Sequence, residues 1–139
     1  MGLHPKPLTQ IPAVLSSILL LSLCGISTCT PNTAVKSVLC NSGTYTAGDP
    51  FAISLSYVLA QLEATTPLRG GYEFRNISPY PNAFAYGHAA CNQTLTSSDC
   101  ADCLAAAKTA MLGSCDGRIG GRGELYDCIV RYEQYPFDD

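Results

Sequence analysis

Apolar positions along the chain run together at the start and become periodic later. Residues 11–23, IPAVLSSILLLSL, form an uncharged run, short of the roughly 20 apolar residues a membrane span needs. His4 and Lys6 precede it, and the small residues of CGISTC follow at 24–29. A basic start, an apolar middle and a small-residue exit make the order of a secretory signal peptide. Residues 1–29 are therefore expected to be removed, with Ser27 and Cys29 at −3 and −1; cleavage after Ser27 is the other option. Residues 30–139 then form a single domain.

Beyond residue 30 the pattern alternates between strand and helix periods. Residues 35–39 (VKSVL) predict a short strand leading to Cys40, and the Ser-, Gly- and Thr-rich residues 41–48 a loop. Asp49-Pro50 is a helix opening, because Asp accepts from free backbone N–H groups and Pro suits the first helical position. Phe51, Leu55, Val58, Leu59 and Leu62 follow at helical spacing, and Thr65-Thr66-Pro67 ends that helix. Gly70-Gly71 separates it from a strand at 72–75. A Pro-rich loop at 78–82 leads to a second strand at 83–91, with Phe84, Tyr86 and His88 on one face. Thr96 to Asp99 caps a second helix. Its alanine-rich run 100–112 is strongly helix-forming, and Gly113 is expected to stop it. Two strands, 117–125 and 126–132, close the chain; in the last, Tyr126, Cys128, Val130 and Tyr132 alternate inward. Helices segregated onto one face of an antiparallel sheet predict an α+β fold.

Charge changes the picture by exclusion. The 139 residues carry 8 Lys plus Arg against 11 Asp plus Glu, and 47% are hydrophobic. That balance argues against a nucleic-acid-binding surface, which draws affinity from clustered cations, against a cationic membrane-lysing helix and against disorder. No second apolar run follows the first, so no membrane span is expected.

Cysteine changes it more. Loss of residues 1–29 takes Cys24 and Cys29 and leaves Cys40, Cys91, Cys100, Cys103, Cys115 and Cys128. An even set in a small exported domain reads as three disulfides, for which spacing alone leaves about 15 pairings. Cys100-x-x-Cys103 alone also fits a redox pair or half a zinc site. However, it lies inside a predicted helix, no second C-x-x-C exists, and His88 has no partner histidine in the processed chain. Neither a metal nor a cofactor is expected.

The spacing C-x8-C-x2-C, set in AYGHAACNQTLTSSDCADCLAAA, together with the ending IGGRGELYDCIVRYEQYPF, resembles the plant salt-stress-response/antifungal domain family, whose free secreted members are ginkbilobin-like. The resemblance runs from about Asn32 to Phe137. It implies a five-stranded antiparallel sheet packed against two helices, and the pairs Cys40–Cys115, Cys91–Cys100 and Cys103–Cys128. Ginkbilobin-like members bind mannose through an Asn after the first domain cysteine, an Arg in an Ile-Gly-x-Arg stretch and a Glu in a Tyr-Glu-Gln stretch. The matching positions here are Asn41, Arg122 and Glu133. These types suit a sugar, since Glu only accepts, Arg only donates and Asn does both, and a Glu–Arg pair orients both side chains.

Taken by themselves, the same residues are a loop cap, a solvated strand residue and a surface charge. Glu124 and Glu133 are also of the type that forms the carboxylate pair of a glycosidase, but no acidic cleft is readable, and no enzyme is expected. The sequons at Asn92 and Asn76 are candidate N-glycosylation sites, the second weakened by Pro79. Tyr45, Tyr72, Tyr80, Tyr86, Tyr126, Tyr132 and Tyr135 suit either sugar stacking or the core and its rim. The expected function is a secreted, extracellular (apoplast or cell-wall) mannose-binding lectin with antifungal activity, its partners mannose or mannose-containing cell-wall glycans. The alternatives are an apoplastic protein-interaction module that engages a receptor or inhibits an enzyme, and a storage protein.

Overall fold

The computed structural model describes residues 30–139, with Gly2 and Leu3. The expected leader, apart from those two residues, lies outside the described residues. The first helix begins where Asp49 and Pro50 predict it. Asp49 is extended, and its carboxylate accepts from the Phe51 N–H at 2.9 Å. Helix α1 (Pro50–Thr65) buries Phe51, Leu55, Val58, Leu59 and Leu62 along one stripe, and a short 3-10 turn at Thr66–Leu68 carries the chain away. Helix α2 (Ser97–Cys115) is opened by Thr96, whose hydroxyl accepts from the Asp99 N–H at 3.1 Å.

The two helices pack on one face of a five-stranded antiparallel sheet. Its strands are β1 (Val35–Cys40), β2 (Glu73–Ile77), β3 (Tyr86–Cys91), β4 (Gly121–Leu125) and β5 (Cys128–Glu133), in spatial order β1-β4-β5-β3-β2. Helix α2 lies over β1, β4 and β5, and α1 over β2 and β3. Between helices and sheet sit Ala89, Cys103, Leu104, Ala107, Met111, Val130 and Tyr132, all at most 2% exposed. The Tyr132 ring lies 6.4 Å from that of Phe51, and its hydroxyl donates to the Arg118 carbonyl at 2.9 Å. Burial pushes the Tyr132 phenol far above its ordinary range.

Three disulfides fasten α2 along its length. Cys100, in its first turn, joins Cys91 at the end of β3; Cys103 joins Cys128 at the start of β5; Cys115, its last residue, joins Cys40 at the end of β1. Cross-links of this kind contribute about 2–5 kcal/mol each, mainly by constraining the unfolded chain.

Four details depart from the pattern that the sequence predicts. Helix α2 runs past Gly113 to Cys115. Cys100, Cys103, Leu104, Ala107, Met111 and Cys115 continue one buried stripe, and their packing outweighs a glycine penalty of about 1 kcal/mol. The glycine that turns the chain is Gly117, at φ 70°. Residues 117–120 are consequently not part of β4. They run beside residues 41–45, with Tyr45 N–H bonded to Gly117 O at 2.9 Å and Ile119 N–H to Gly43 O at 3.0 Å. The strand expected from residue 83 begins at Tyr86, since Ser78 and Ala85 close the preceding loop through two hydrogen bonds. Finally, Tyr126 is 61% exposed rather than inward. With Asp127 it forms the two-residue turn between β4 and β5, so inward alternation starts at Cys128.

Candidate functional site

Strand order brings distant residues together. Asn41 follows β1, Arg122 is in β4 and Glu133 ends β5, and β4 lies between the other two strands. The Asn41 N–H bonds to Gly120 O at 2.9 Å, which fixes it beside the entrance to β4. Arg122 stands opposite Leu39 on one side and Arg131 on the other. Alternation sets the face: Gly121 and Gly123 lie against α2, leaving Arg122 on the helix-free side of the sheet. Tyr132 is turned into the core, so Arg131 and Glu133 are turned outward.

Asn41, Arg122 and Glu133 line one open cleft of about 320 Å³, with Arg131 and Tyr135 in its wall. The Asn41 side-chain oxygen accepts from the Gly43 N–H at 3.0 Å, while its amide nitrogen donates to Glu133 Oε2 at 3.4 Å. Glu133 is 7% exposed. Its ion-pair partner is Arg131, whose Nη2 lies 3.3 Å from Oε1. Arg122 instead leans toward Glu124 at 3.6 Å, and its buried Nε has no hydrogen-bond partner. Glu124 is also held by Lys36 at 3.3 Å. The three expected residues therefore share a cleft, but the arginine that orients the carboxylate is Arg131.

Two further residues shape the site. Gly120 lies directly beneath Glu133: a Cβ there would overlap Oε2 and stand 2.5 Å from the carboxylate carbon. The Ile119-Gly120-Gly121 run in the sequence carries that signal, yet only the fold says what fills the space. Arg131 was also readable in part, because residues two apart in a strand share a face. Its cross-strand position opposite Arg122 was not. Around the Arg131 guanidinium, burial disfavours the charge, but hydrogen bonds to Asp139 and Glu133 and their charges outweigh it and raise its pKa.

The remaining candidates lie elsewhere. His88 is buried on the outer face of β3, with Nε2 3.1 Å from Glu73 and Nδ1 3.0 Å from Asp139. Among the described residues, no three His, Cys, Asp or Glu side chains are grouped to hold a metal ion. Asn92 is exposed; its amide nitrogen donates to Asp127 at 3.2 Å, and its oxygen accepts from the Thr94 N–H and hydroxyl. Asn76 is half-buried within β2.

The scaffold has known relatives. The family model described as salt stress response/antifungal matches residues 39–135. A protein from Picea sitchensis named antifungal protein ginkbilobin-like protein 1 is 37% identical over 106 residues, covering 76% of this chain and 80% of that protein. Antifungal protein ginkbilobin-2 of Ginkgo biloba is 35% identical over 108 residues, with the same coverage. Among solved structures, the tandem DUF26 ectodomain of a cysteine-rich receptor-like protein from Arabidopsis thaliana superposes with a TM-score of 0.69 at 21% identity. That match covers 76% of this chain and 50% of the ectodomain, so the chain spans about half of it and shares its fold. With the family model spanning most of the chain, its relatives matched over four-fifths of their length, and sheet, helices and disulfides in place, the chain belongs to the salt stress response/antifungal family.

Proposed function

We propose that the chain is exported and acts in defence against fungi by binding mannose-containing glycans of the cell wall through Asn41, Arg122 and Glu133. The observation that carries this reading is the convergence of those three side chains, from the residue after β1 and from β4 and β5, on one outward cleft. Export is supported by the leader-like residues 1–29 and by three disulfides, which persist in oxidising compartments. An antifungal role is supported by the relatives named above.

The chemistry follows from the donor and acceptor set. Glu133 accepts from sugar hydroxyls, the Arg122 guanidinium donates, and the Asn41 amide, bonded to Glu133, can do both. Such a site discriminates by hydroxyl placement, because a misplaced hydroxyl leaves a polar group unpaired. Contacts to one ring in an open cleft give weak binding, on the order of millimolar to micromolar per site. Repeated mannose on a wall compensates through multivalency.

The test is titration of the oxidised protein with methyl α-mannoside. Arg122→Ala removes a charged hydrogen bond and is expected to weaken binding about tenfold or more. Equal affinity in the variant overturns the site. Capture of a plant protein that survives excess mannose would support the protein-interaction alternative instead.

A further inference from the structure

The chain after β5 turns back across the outer face of the sheet. There the strand register places Leu39, Arg122, Arg131, His88 and Arg75 side by side, one from each strand. Like charges directly opposite one another destabilise a sheet, so this row needs interleaved anions. Asp139 supplies them at its middle: one carboxylate oxygen meets Arg131 Nη1 and the other lies 3.0 Å from His88 Nδ1. The Phe137 carbonyl accepts from Arg75 Nη1 at 3.2 Å, and the Phe137 ring lies 4.1 Å from the Arg131 guanidinium.

These contacts join into one chain of polar links. Glu73 holds His88, His88 and Arg131 hold Asp139, Arg131 holds Glu133, and Glu133 holds Asn41. It crosses the sheet from the β2 edge to the candidate cleft. We propose that residues 136–139 are a strap that sets the direction of Glu133 through Arg131, making Phe137 and Asp139 positioning residues of the cleft. Its consequence for ligand affinity rests on the saccharide reading above; its control of Glu133 does not.

Control of Glu133 comes from how the guanidinium divides its donors. Arg131 gives Nη1 to Asp139 and Nη2 to Glu133, one anion per nitrogen. With Asp139 neutralised, Glu133 is the remaining anion on Arg131. The favoured arginine–carboxylate geometry is then the two-bond fork. A fork draws Glu133 Oε2 toward Arg131 and away from Asn41. The Phe137 ring holds the guanidinium through a cation–π contact. Asp139 remains an anion well into acid. Burial pushes its carboxyl up, but hydrogen bonds from Arg131 and His88 and their charges outweigh this and hold it below the ordinary carboxylate range.

The experiment is NMR of the oxidised, 15N-labelled protein, without and with methyl α-mannoside. Without sugar, the Asn41 side-chain amide signals are expected to move in Asp139→Asn and Phe137→Ala, and to return toward their original positions in Asp139→Glu. Unmoved Asn41 signals in both variants overturn the strap, whatever the sugar does. With sugar, Asp139→Asn is expected to bind about three- to tenfold more weakly. Shifted Asn41 signals with unchanged affinity overturn the positioning role. Absence of sugar binding in the unsubstituted protein ends the saccharide reading, and the Asn41 signals still decide the strap.

Discussion

Glu133 keeps a carboxylate almost out of water because its neighbours meet both oxygens: Arg131 takes one and Asn41 the other. The space for it exists because residue 120 has no side chain. Gly120→Ala places a methyl group where Oε2 now sits, so either the backbone between Ile119 and Gly121 gives way or Glu133 swings outward. Overpacking of this kind costs about 1–3 kcal/mol. The substitution is expected to lower the urea-unfolding midpoint and, with Glu133 displaced, to weaken the proposed mannose binding together with it. A protein of unchanged stability and unchanged affinity would show that the carboxylate has another place to rest. Neighbouring Arg131 shows why such detail is hard to foresee: its alternation with Glu133 is written in the sequence, while the strand lying opposite is not.

At the scale of elements, α2 is the piece to which the sheet is fastened. Its bridges close segments of very different length, with separations of 75, 25 and 9 residues for Cys40–Cys115, Cys103–Cys128 and Cys91–Cys100. Loop-closure entropy then predicts contributions of about 4.5, 3.5 and 2.7 kcal/mol in that order. Paired Cys→Ala variants, unfolded in urea, are expected to lose stability in the same order; a largest loss at Cys91 and Cys100 would refute the entropic account. Local signals for these elements were strong. Asp49-Pro50 and Thr96 marked where the helices begin, and helical spacing of apolar residues marked the buried stripe of α1. The end of α2 was not legible, because Gly113 is a stop signal only when nothing beyond it must be buried, and Cys115 is fully buried. Tyr126 failed for the converse reason: a strand-like alternation continues through a two-residue turn without any local mark. Asn41, Arg122 and Glu133 were named as candidates through family resemblance alone, and their convergence on one cleft needed the order β1-β4-β5.

Across the whole molecule, the two faces of the sheet are held by different physics. The helix side is apolar and cross-linked, whereas the outer side carries Arg122, Arg131 and Arg75 among carboxylates, with Asp139 at the centre. Acid should therefore act on the outer side first. Asp139 titrates below its ordinary value near 3.8 when folded. A depressed carboxylate contributes stability that is complete above the unfolded pKa and is lost as pH falls through the folded one. Arg131 has its pKa raised, so its contribution disappears only in strong alkali. Unfolding in urea between about pH 5 and pH 2 is thus expected to show a falling midpoint. Asp139→Asn should start lower at pH 7 and fall less steeply over that acid window, because the titrating group is gone. Parallel curves for the two proteins would show that Asp139 is not the group responsible. Since the cysteine bridges do not titrate, the acid-weakened molecule should keep its covalent frame while the strap comes away, and the cleft beside Glu133 should lose order before the core does.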